Sequence, residues 1–146
     1  MTERTNPTLS GEEYALTGAF LLALAATLGA LFIGEVLGQM PCTLCWYQRI
    51  AMFPLALILG MAVFAEDRRG AVYALPFALA GLALAAYHSA LIAGWVPQWW
   101  VPCGTGPPCS QQALVILGDI QIPWLSLAAF LAIAAALTIY LIRTRK

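Results

Sequence analysis

Residues 14–36 read YALTGAFLLALAATLGALFIGEV, an apolar run whose only charged residue, Glu35, stands beside its end. At ~1.5 Å per residue in an α-helix, a run of this length crosses a hydrocarbon core of ~30 Å. Three further runs of similar length and character follow, at about 46–65, 71–94 and 122–142. The sequence therefore predicts an all-α protein, an integral membrane bundle of four transmembrane helices that forms a single membrane domain over residues 1–146.

The composition indicates lipid, more than water, as the main solvent of this chain. Hydrophobic residues make up 62% of it and charged residues only 10%, far from the usual values for a soluble domain. A soluble bundle would need a polar stripe on each helix, and the four runs have none. A cleaved signal peptide does not fit either, because Glu12 and Glu13 precede the first run where basic residues belong. The seven basic and seven acidic residues cancel, so no net field attracts nucleic acid.

The basic residues set the expected orientation. Six of the seven lie before the first run, between the second and third, or after the fourth; they are Arg4, Arg68, Arg69, Arg143, Arg145 and Lys146. The positive-inside rule places these segments, and with them both chain termini, in the cytoplasm. The two other connections then lie in the periplasm or at the cell exterior, and they contain all four cysteines. That is the oxidising side of a plasma (inner) membrane, where disulfides form and persist.

The first cysteine pair, Cys42 and Cys45, forms a C-x-x-C motif between Pro41 and the expected start of the second helix. Amides at a helix N-terminus stabilise a thiolate, and cysteines in this motif commonly have a depressed pKa. A zinc site is an alternative, but His88, the only histidine, is expected within a helix and the other cysteines have a different spacing. A c-type haem would need a histidine in place of Trp46. We therefore expect redox chemistry and no metal ion.

The second pair, Cys103 and Cys109, is separated by five residues rich in glycine and proline. Glycine lets so short a segment turn back on itself, so the two sulfurs can approach bonding distance. A purely structural disulfide is the alternative, but it would close only a very small loop and stabilise little. A pair in an exposed loop suits exchange, in which an incoming thiolate attacks one sulfur through a mixed disulfide.

Arg49 and His88 are the two other candidate site residues. Arg49 follows Cys45 by four positions, which puts both on one face of a helix. A charge inside the membrane is costly, so we expect it to have a role. It either pairs with Glu35 at a similar depth, or it supports a Cys45 thiolate or a bound carbonyl compound, and both readings can hold together. His88, near the outer end of the third helix, is either a packing residue or lines a common pocket with them.

The stretch 41–50, PCTLCWYQRI, resembles the signature of the DsbB family of disulfide bond formation membrane proteins, and is closest to that of the short BdbC-type members. Further matches are EVLG at 35–38, the C-x5-C loop followed by Ser110, and IPWLSLAAF at 122–130. The similarity covers about residues 35–130, with the same order of four helices.

The resemblance implies an enzyme that reoxidises a thioredoxin-like extracytoplasmic dithiol oxidase, DsbA- or BdbD-like, and passes two electrons to a membrane quinone, ubiquinone or menaquinone. Carried over by position, Cys42 and Cys45 are the pair that quinone reoxidises. Cys45 is then the thiolate that faces the ring, and Arg49 lies near a quinone oxygen. Cys103 forms the mixed disulfide with the partner, and Cys109 attacks toward Cys42 to link the two loops.

His88 matches the family pattern loosely, and on that match we expect it to bind the quinone as well. Gln48 stands where longer members carry an acidic residue, so no role carries over to it. Two alternatives remain. One is a membrane conduit that carries reducing equivalents outward, or the related vitamin K epoxide reductase-like type of quinone reductase, whose active pair is expected near the last helix. The other is a non-enzymatic membrane scaffold whose disulfides only brace its loops.

Overall fold

The computed structural model describes residues 11–97, 100, 115–116 and 120–144. Its long elements are the helices α1 (Gly11–Leu31), α2 (Thr43–Phe64), α3 (Arg68–Ile92) and α4 (Ile122–Arg143). A π-helical turn (Phe32–Val36) follows α1, and two-residue strands β1 (Val115–Ile116) and β2 (Ile120–Gln121) pair antiparallel before α4. Among the described residues, four helices are long and apolar enough to cross a membrane. The predicted helical membrane bundle is confirmed, and the short strand pair is an addition that the sequence did not suggest.

Helices α2 and α3 each begin three residues before their predicted starts, because each has a capping side chain there. Cys42 is the N-cap of α2, and its sulfur accepts the backbone N–H of Cys45. Asp67 is the N-cap of α3, and its carboxylate accepts the backbone N–H of Arg69 at 2.9 Å. Such a side chain satisfies a first-turn amide that has no partner within the helix. The C-x-x-C motif is therefore the first turn of a helix and not a loop that precedes it.

The helices pack in a ring, in which α1 and α3 each contact both α2 and α4. The interior of the ring is filled by apolar side chains, among which Leu55, Leu59, Ile133 and Leu137 are fully buried. Large apolar side chains also cover the outside, where Leu57 is 70% exposed. Lipid solvates such a surface, whereas a soluble bundle would place polar residues there.

The two ends of the bundle differ in chemistry. Arg68 and Arg143 lie at one end, where Arg68 donates a hydrogen bond to the Leu141 carbonyl at 3.4 Å. Cys42 and Cys45 lie at the opposite end, where α2 starts and α3 finishes. We call these the arginine end and the cysteine end.

Gly81 marks a close approach between α3 and α4. A Cβ atom at this position would overlap the ring of Phe130, which is 1% exposed. Because protein interiors are close-packed, the missing side chain at Gly81 is what leaves room for the Phe130 ring in the core.

Gly81→Ala is expected to lower the free energy of unfolding by about 1–3 kcal/mol, because the added methyl group forces the packed core to shift. Gly18→Ala is the matched control, since no atom lies within 4 Å of a Cβ at that position. Alanine there should be neutral or slightly stabilising. Reversible unfolding in mixed micelles measures both variants, and equal stability of the two would contradict the close packing.

Candidate active site

The two sulfurs of the C-x-x-C motif lie together at the N-terminus of α2. Their Sγ atoms are 2.8 Å apart, and Cys42 Sγ also accepts the backbone N–H of Cys45 at 3.3 Å. Cys42 is 0% exposed, whereas Cys45 is partly exposed. The amides of a first helical turn carry partial positive charge, which stabilises a negative sulfur at this position. The pair is therefore arranged for thiolate chemistry, with Cys42 as the sulfur at the helix cap.

The pKa of the Cys42 thiol is lowered from its usual value of 9.0 to about 4. The hydrogen bond from the Cys45 thiol is the largest cause; burial opposes it, and contacts with His88 and the Cys45 amide add to it. Burial raises a thiol pKa because it disfavours the charged form. In the reduced pair, Cys42 is therefore a thiolate at neutral pH.

His88 reaches the cysteine pair from α3. Its Nε2 lies 4.0 Å from Cys42 Sγ, and the side chain is 1% exposed. His88 is thus close to the cysteine pair, and its expected role in quinone binding stays a prediction. It does not, however, line the cavity beside Cys45 that is described below. His88 contacts Cys42, which does not line the cavity either, at the place where the last turns of α3 pack against the start of α2.

Two polar side chains to which the sequence assigned no role belong to this buried group. Gln48 is 8% exposed, and its Nε2 lies 3.2 Å from His88 Nδ1. The Ser126 hydroxyl of α4 donates to Gln48 Oε1 at 2.6 Å. A signal for both was present, since a polar residue in an apolar membrane helix is costly and needs a partner. Which partner it takes depends on how three helices meet, and the sequence does not show that.

Arg49 turns toward α1. Its Nη2 donates to the Ala30 carbonyl at 2.7 Å, and its guanidinium carbon lies 5.7 Å from the ring centroid of Trp46. Gly34 leaves room for this arrangement, since a Cβ there would lie 3.0 Å from the guanidinium. Between the described side chains of Arg49 and Glu35 no ion pair forms, and Glu35 is exposed. The alternative pairing is therefore wrong, and the backbone carbonyl takes the place of the carboxylate.

A cavity of about 770 Å³ lies between α1, α2 and α4, beside the cysteine pair. Cys45, Gln48 and Arg49 line it from α2, and Ser126 lines it from α4. The remaining wall is mostly apolar, with small side chains from α1 and α4. A cavity of this size with a few polar groups in an apolar wall suits a small apolar ligand and can orient it. Of the two cysteines of the pair, only Cys45 lines this cavity.

Cys103 and Cys109 lie outside the described residues, and their pairing stays a prediction. The chain that leads toward them is held next to the first pair. After α3 it packs against the apolar cluster that includes Cys42. The Tyr87 hydroxyl then donates to the Trp100 carbonyl at 2.7 Å.

The same geometry supplies part of a metal-ligand set. One donor atom from each of Cys42, Cys45 and His88 lies within 4.8 Å of the others. The helical position of His88, which argued against zinc in the sequence, is what brings its ring to the sulfurs. These three are the one such group found in the described part of the chain, and a structural zinc site uses four protein ligands.

Comparison with known proteins gives one consistent family. The family model for disulfide bond formation protein DsbB matches residues 12–140. A probable disulfide formation protein of Metapseudomonas resinovorans is 48% identical over 141 residues, which are 95% of this chain and 98% of that protein. Disulfide bond formation protein C of Bacillus subtilis (strain 168) is 43% identical over 120 residues, which are 81% of this chain and 86% of that protein. No solved structure matches the chain.

These matches extend well beyond the cysteine motif, since they cover nearly all of the four helices. They agree with a membrane bundle that holds a cysteine pair ready for thiolate chemistry at one end. The chain therefore belongs to the DsbB family of disulfide bond formation proteins, and it is a disulfide-forming membrane oxidoreductase.

Proposed function

We propose that this protein is a thiol:quinone oxidoreductase that reoxidises a thioredoxin-like dithiol oxidase outside the cytoplasm and passes the electrons to ubiquinone or menaquinone. The partner is of the DsbA or BdbD kind, and the reaction supports disulfide formation in exported proteins. One observation carries the proposal. A sulfur of the redox pair, that of Cys45, lies on the wall of an apolar cavity within a bundle of membrane-spanning helices.

The residues around the cavity fit a quinone, which has an apolar body and carbonyl oxygens and reaches the site through lipid. Arg49 offers a cationic donor in a wall that is otherwise mostly apolar, and the hydroxyl proton of Ser126 is already donated to Gln48. A bound quinone would accept two electrons from the cysteine pair and take up two protons in total. Cys45 would face it from the cavity wall, and Arg49 would hold one of its carbonyl oxygens.

The cycle begins at the second pair. A thiolate of the reduced partner attacks the Cys103–Cys109 disulfide and forms a mixed disulfide with Cys103, which frees Cys109. Cys109 then attacks Cys42 in the Cys42–Cys45 disulfide. The Cys42–Cys45 bond breaks, a Cys42–Cys109 bond forms, and Cys45 leaves as a thiolate on the cavity wall. Arg49 stabilises the negative charge that appears there.

The remaining exchanges return the second pair to its starting state. The second thiolate of the partner displaces Cys103, so the partner leaves with its own disulfide formed. Cys103 then attacks Cys109 and releases Cys42. The partner has lost two electrons, and the first pair is left reduced, with Cys42 as the thiolate, for reoxidation. The two sulfurs of the first pair thus have different tasks, Cys42 toward the second pair and Cys45 toward the cavity.

Chain connectivity supports the contact between the two pairs. Cys103 follows Trp100 by three residues, so their Cα atoms are at most about 10–11 Å apart. Trp100 is tied to Tyr87, whose side chain packs against the cluster that includes Cys42.

We place the cysteine end outside the cytoplasm and the arginine end inside, in the plasma (inner) membrane. The exposed Arg68, Arg69 and Arg143 at the arginine end support this orientation through the positive-inside rule. Disulfide exchange at the cysteine end also needs the oxidising compartment.

Purified protein is expected to reduce a soluble quinone analogue only when a reduced thioredoxin-like dithiol is supplied. Cys45→Ser is expected to abolish the reaction, because the first pair can no longer form its disulfide. The absorbance of the quinone measures its reduction by the wild-type protein and by Cys45→Ser. Quinone reduction at the normal rate by Cys45→Ser would overturn the proposal. An inactive wild-type protein would favour the scaffold, and net reduction of the partner by hydroquinone would favour the outward conduit.

Arg49→Ala is expected to raise the apparent KM for quinone about 10–100-fold, since a charge-assisted hydrogen bond contributes roughly 1.5–3 kcal/mol. Arg69→Ala is the matched control, because Arg69 is exposed at the arginine end. Steady-state kinetics at a saturating dithiol concentration give the constants, and thermal unfolding reports any loss of the Ala30 contact. An Arg49→Ala protein with wild-type quinone KM and turnover would show that Arg49 has no part in quinone binding.

The Cys42 thiolate is expected to persist as the pH falls until about pH 4, where the sulfur takes up its proton. Cys45→Ala should raise the pKa of Cys42 more than His88→Leu does, because the Cys45 thiol is the larger stabilising contact. Thiolate absorbance in a Cys103→Ala/Cys109→Ala background measures each pKa. The reverse order of the two variants would contradict the dominance of the Cys45 thiol, and a Cys42 that titrates near its usual value would contradict a stabilised thiolate at the helix start.

A further inference from the structure

Three polar side chains meet inside the bundle, and each comes from a different helix. Gln48 of α2 and His88 of α3 are buried, and Ser126 of α4 is partly buried. Within an apolar bundle, a polar group without a hydrogen-bond partner is costly, so the directions of these bonds are set by which atoms can donate and which can accept.

The Gln48 amide has one contact on each side. The Ser126 Oγ lies 2.6 Å from Gln48 Oε1, a distance typical of an O–H···O bond. The hydroxyl therefore donates to Oε1, and the NH₂ group of Gln48 is turned to His88 Nδ1 at 3.2 Å. An amide nitrogen only donates, so Nδ1 must be the accepting, unprotonated nitrogen of the ring.

The ring proton then has one place left in the neutral imidazole, which is Nε2. That nitrogen is the one that lies 4.0 Å from Cys42 Sγ. An N–H directed at the sulfur stabilises its negative form, whereas the other tautomer would direct a lone pair at it. The Gln48 contact therefore selects the tautomer, and this tautomer suits a negative sulfur on the other side of the ring.

We propose that Gln48 and Ser126 are positioning residues, which together hold His88 as the Nε2-protonated imidazole with its N–H toward Cys42. Neither residue needs to touch a reacting sulfur. Ser126 sets the amide, the amide sets the imidazole, and the imidazole faces Cys42. We call Gln48 and Ser126 the clamp. Its role in catalysis rests on the proposed function, whereas the tautomer of His88 does not.

His88 is the only histidine in the chain, so its ring can be observed alone. The full-length protein, labelled with ¹⁵N-histidine and freed of any histidine tag, gives the signals of two ring nitrogens in micelles. The wild-type protein is expected to show one neutral tautomer, with Nε2 protonated and Nδ1 accepting a hydrogen bond. A protonated Nδ1 in the wild-type protein would overturn the proposal.

The Nε2-protonated form is also the commoner one in free histidine, so the wild-type tautomer alone does not show that Gln48 sets it. Variants at position 48 test this directly. Gln48→Glu places an acceptor opposite Nδ1, so at mildly alkaline pH the proton should appear on Nδ1. Gln48→Leu removes the donor, so the Nδ1 signal should move to that of a nitrogen without this bond. If both variants leave both ring signals unchanged, the clamp does not exist.

Ser126→Ala should shift the ring signals in the same direction as Gln48→Leu, because the amide is then free to turn. Ser89→Ala is the matched control. Ser89 also joins α3 to α4, through a bond to the Pro123 carbonyl at 3.2 Å, but it does not contact Gln48. Its replacement should leave the tautomer unchanged. Equal effects of the two serine variants would mean that general loosening, and not the amide, controls the ring.

Measurements of turnover distinguish a failure of the clamp from a failure of the proposed function. Gln48→Leu is expected to slow dithiol-dependent quinone reduction about 10-fold, in line with the loss of one hydrogen bond to a charged group. A changed tautomer with unchanged turnover would overturn the catalytic role of the clamp. A wild-type protein that holds the tautomer but reduces no quinone would overturn the proposed function and leave the clamp in place.

Discussion

A polar side chain inside a membrane-spanning bundle has no water to bond to, so a neighbouring helix must satisfy it. This constraint organises the cysteine end. Ser126 joins α4 to α2 through Gln48, and Gln48 joins α2 to α3 through His88. Arg49 joins α2 to α1 through the Ala30 carbonyl. The helix that carries the first cysteine pair is therefore positioned by polar contacts from all three of the others.

Away from the cysteine end, close packing of side chains holds the helices together. Lipid tails are as apolar as the helix surfaces, so no hydrophobic force draws the helices together and close packing must do so. Gly81 against Phe130, and Gly60 against the Phe20 ring, are places where a small residue admits a large one. The cavity lies where this packing opens between α1, α2 and α4, next to the polar contacts. The protein thus combines a rigid packed frame with one open region beside the reactive sulfurs.

Much of this could be predicted from the sequence, because length and hydropathy determine membrane helices almost alone. The four runs, the C-x-x-C pair at a helix start and the nearness of His88 to it all follow from such local signals. The partner of Arg49 did not, since the sequence favours the carboxylate of Glu35, whereas the side chain bonds the backbone carbonyl of Ala30, which lies further along the chain. No role could be assigned to Gln48 or Ser126 from the sequence, because their contacts form only where three helices meet. Whether His88 contacts Cys42 or lines the cavity depends on the rotation of α3 about its axis, which no local pattern specifies.

The capping of α2 by Cys42 has a consequence for the energetics of the pair. The sulfur accepts a helix amide, and that contact is strongest when the sulfur is negative. Oxidation removes the charge and weakens the cap, so the fold favours the reduced form over the disulfide. Stabilising the reduced form raises the reduction potential of a cysteine pair and makes it a stronger oxidant. The first turn of this helix therefore sets how strongly the pair draws electrons from the thiols that it meets.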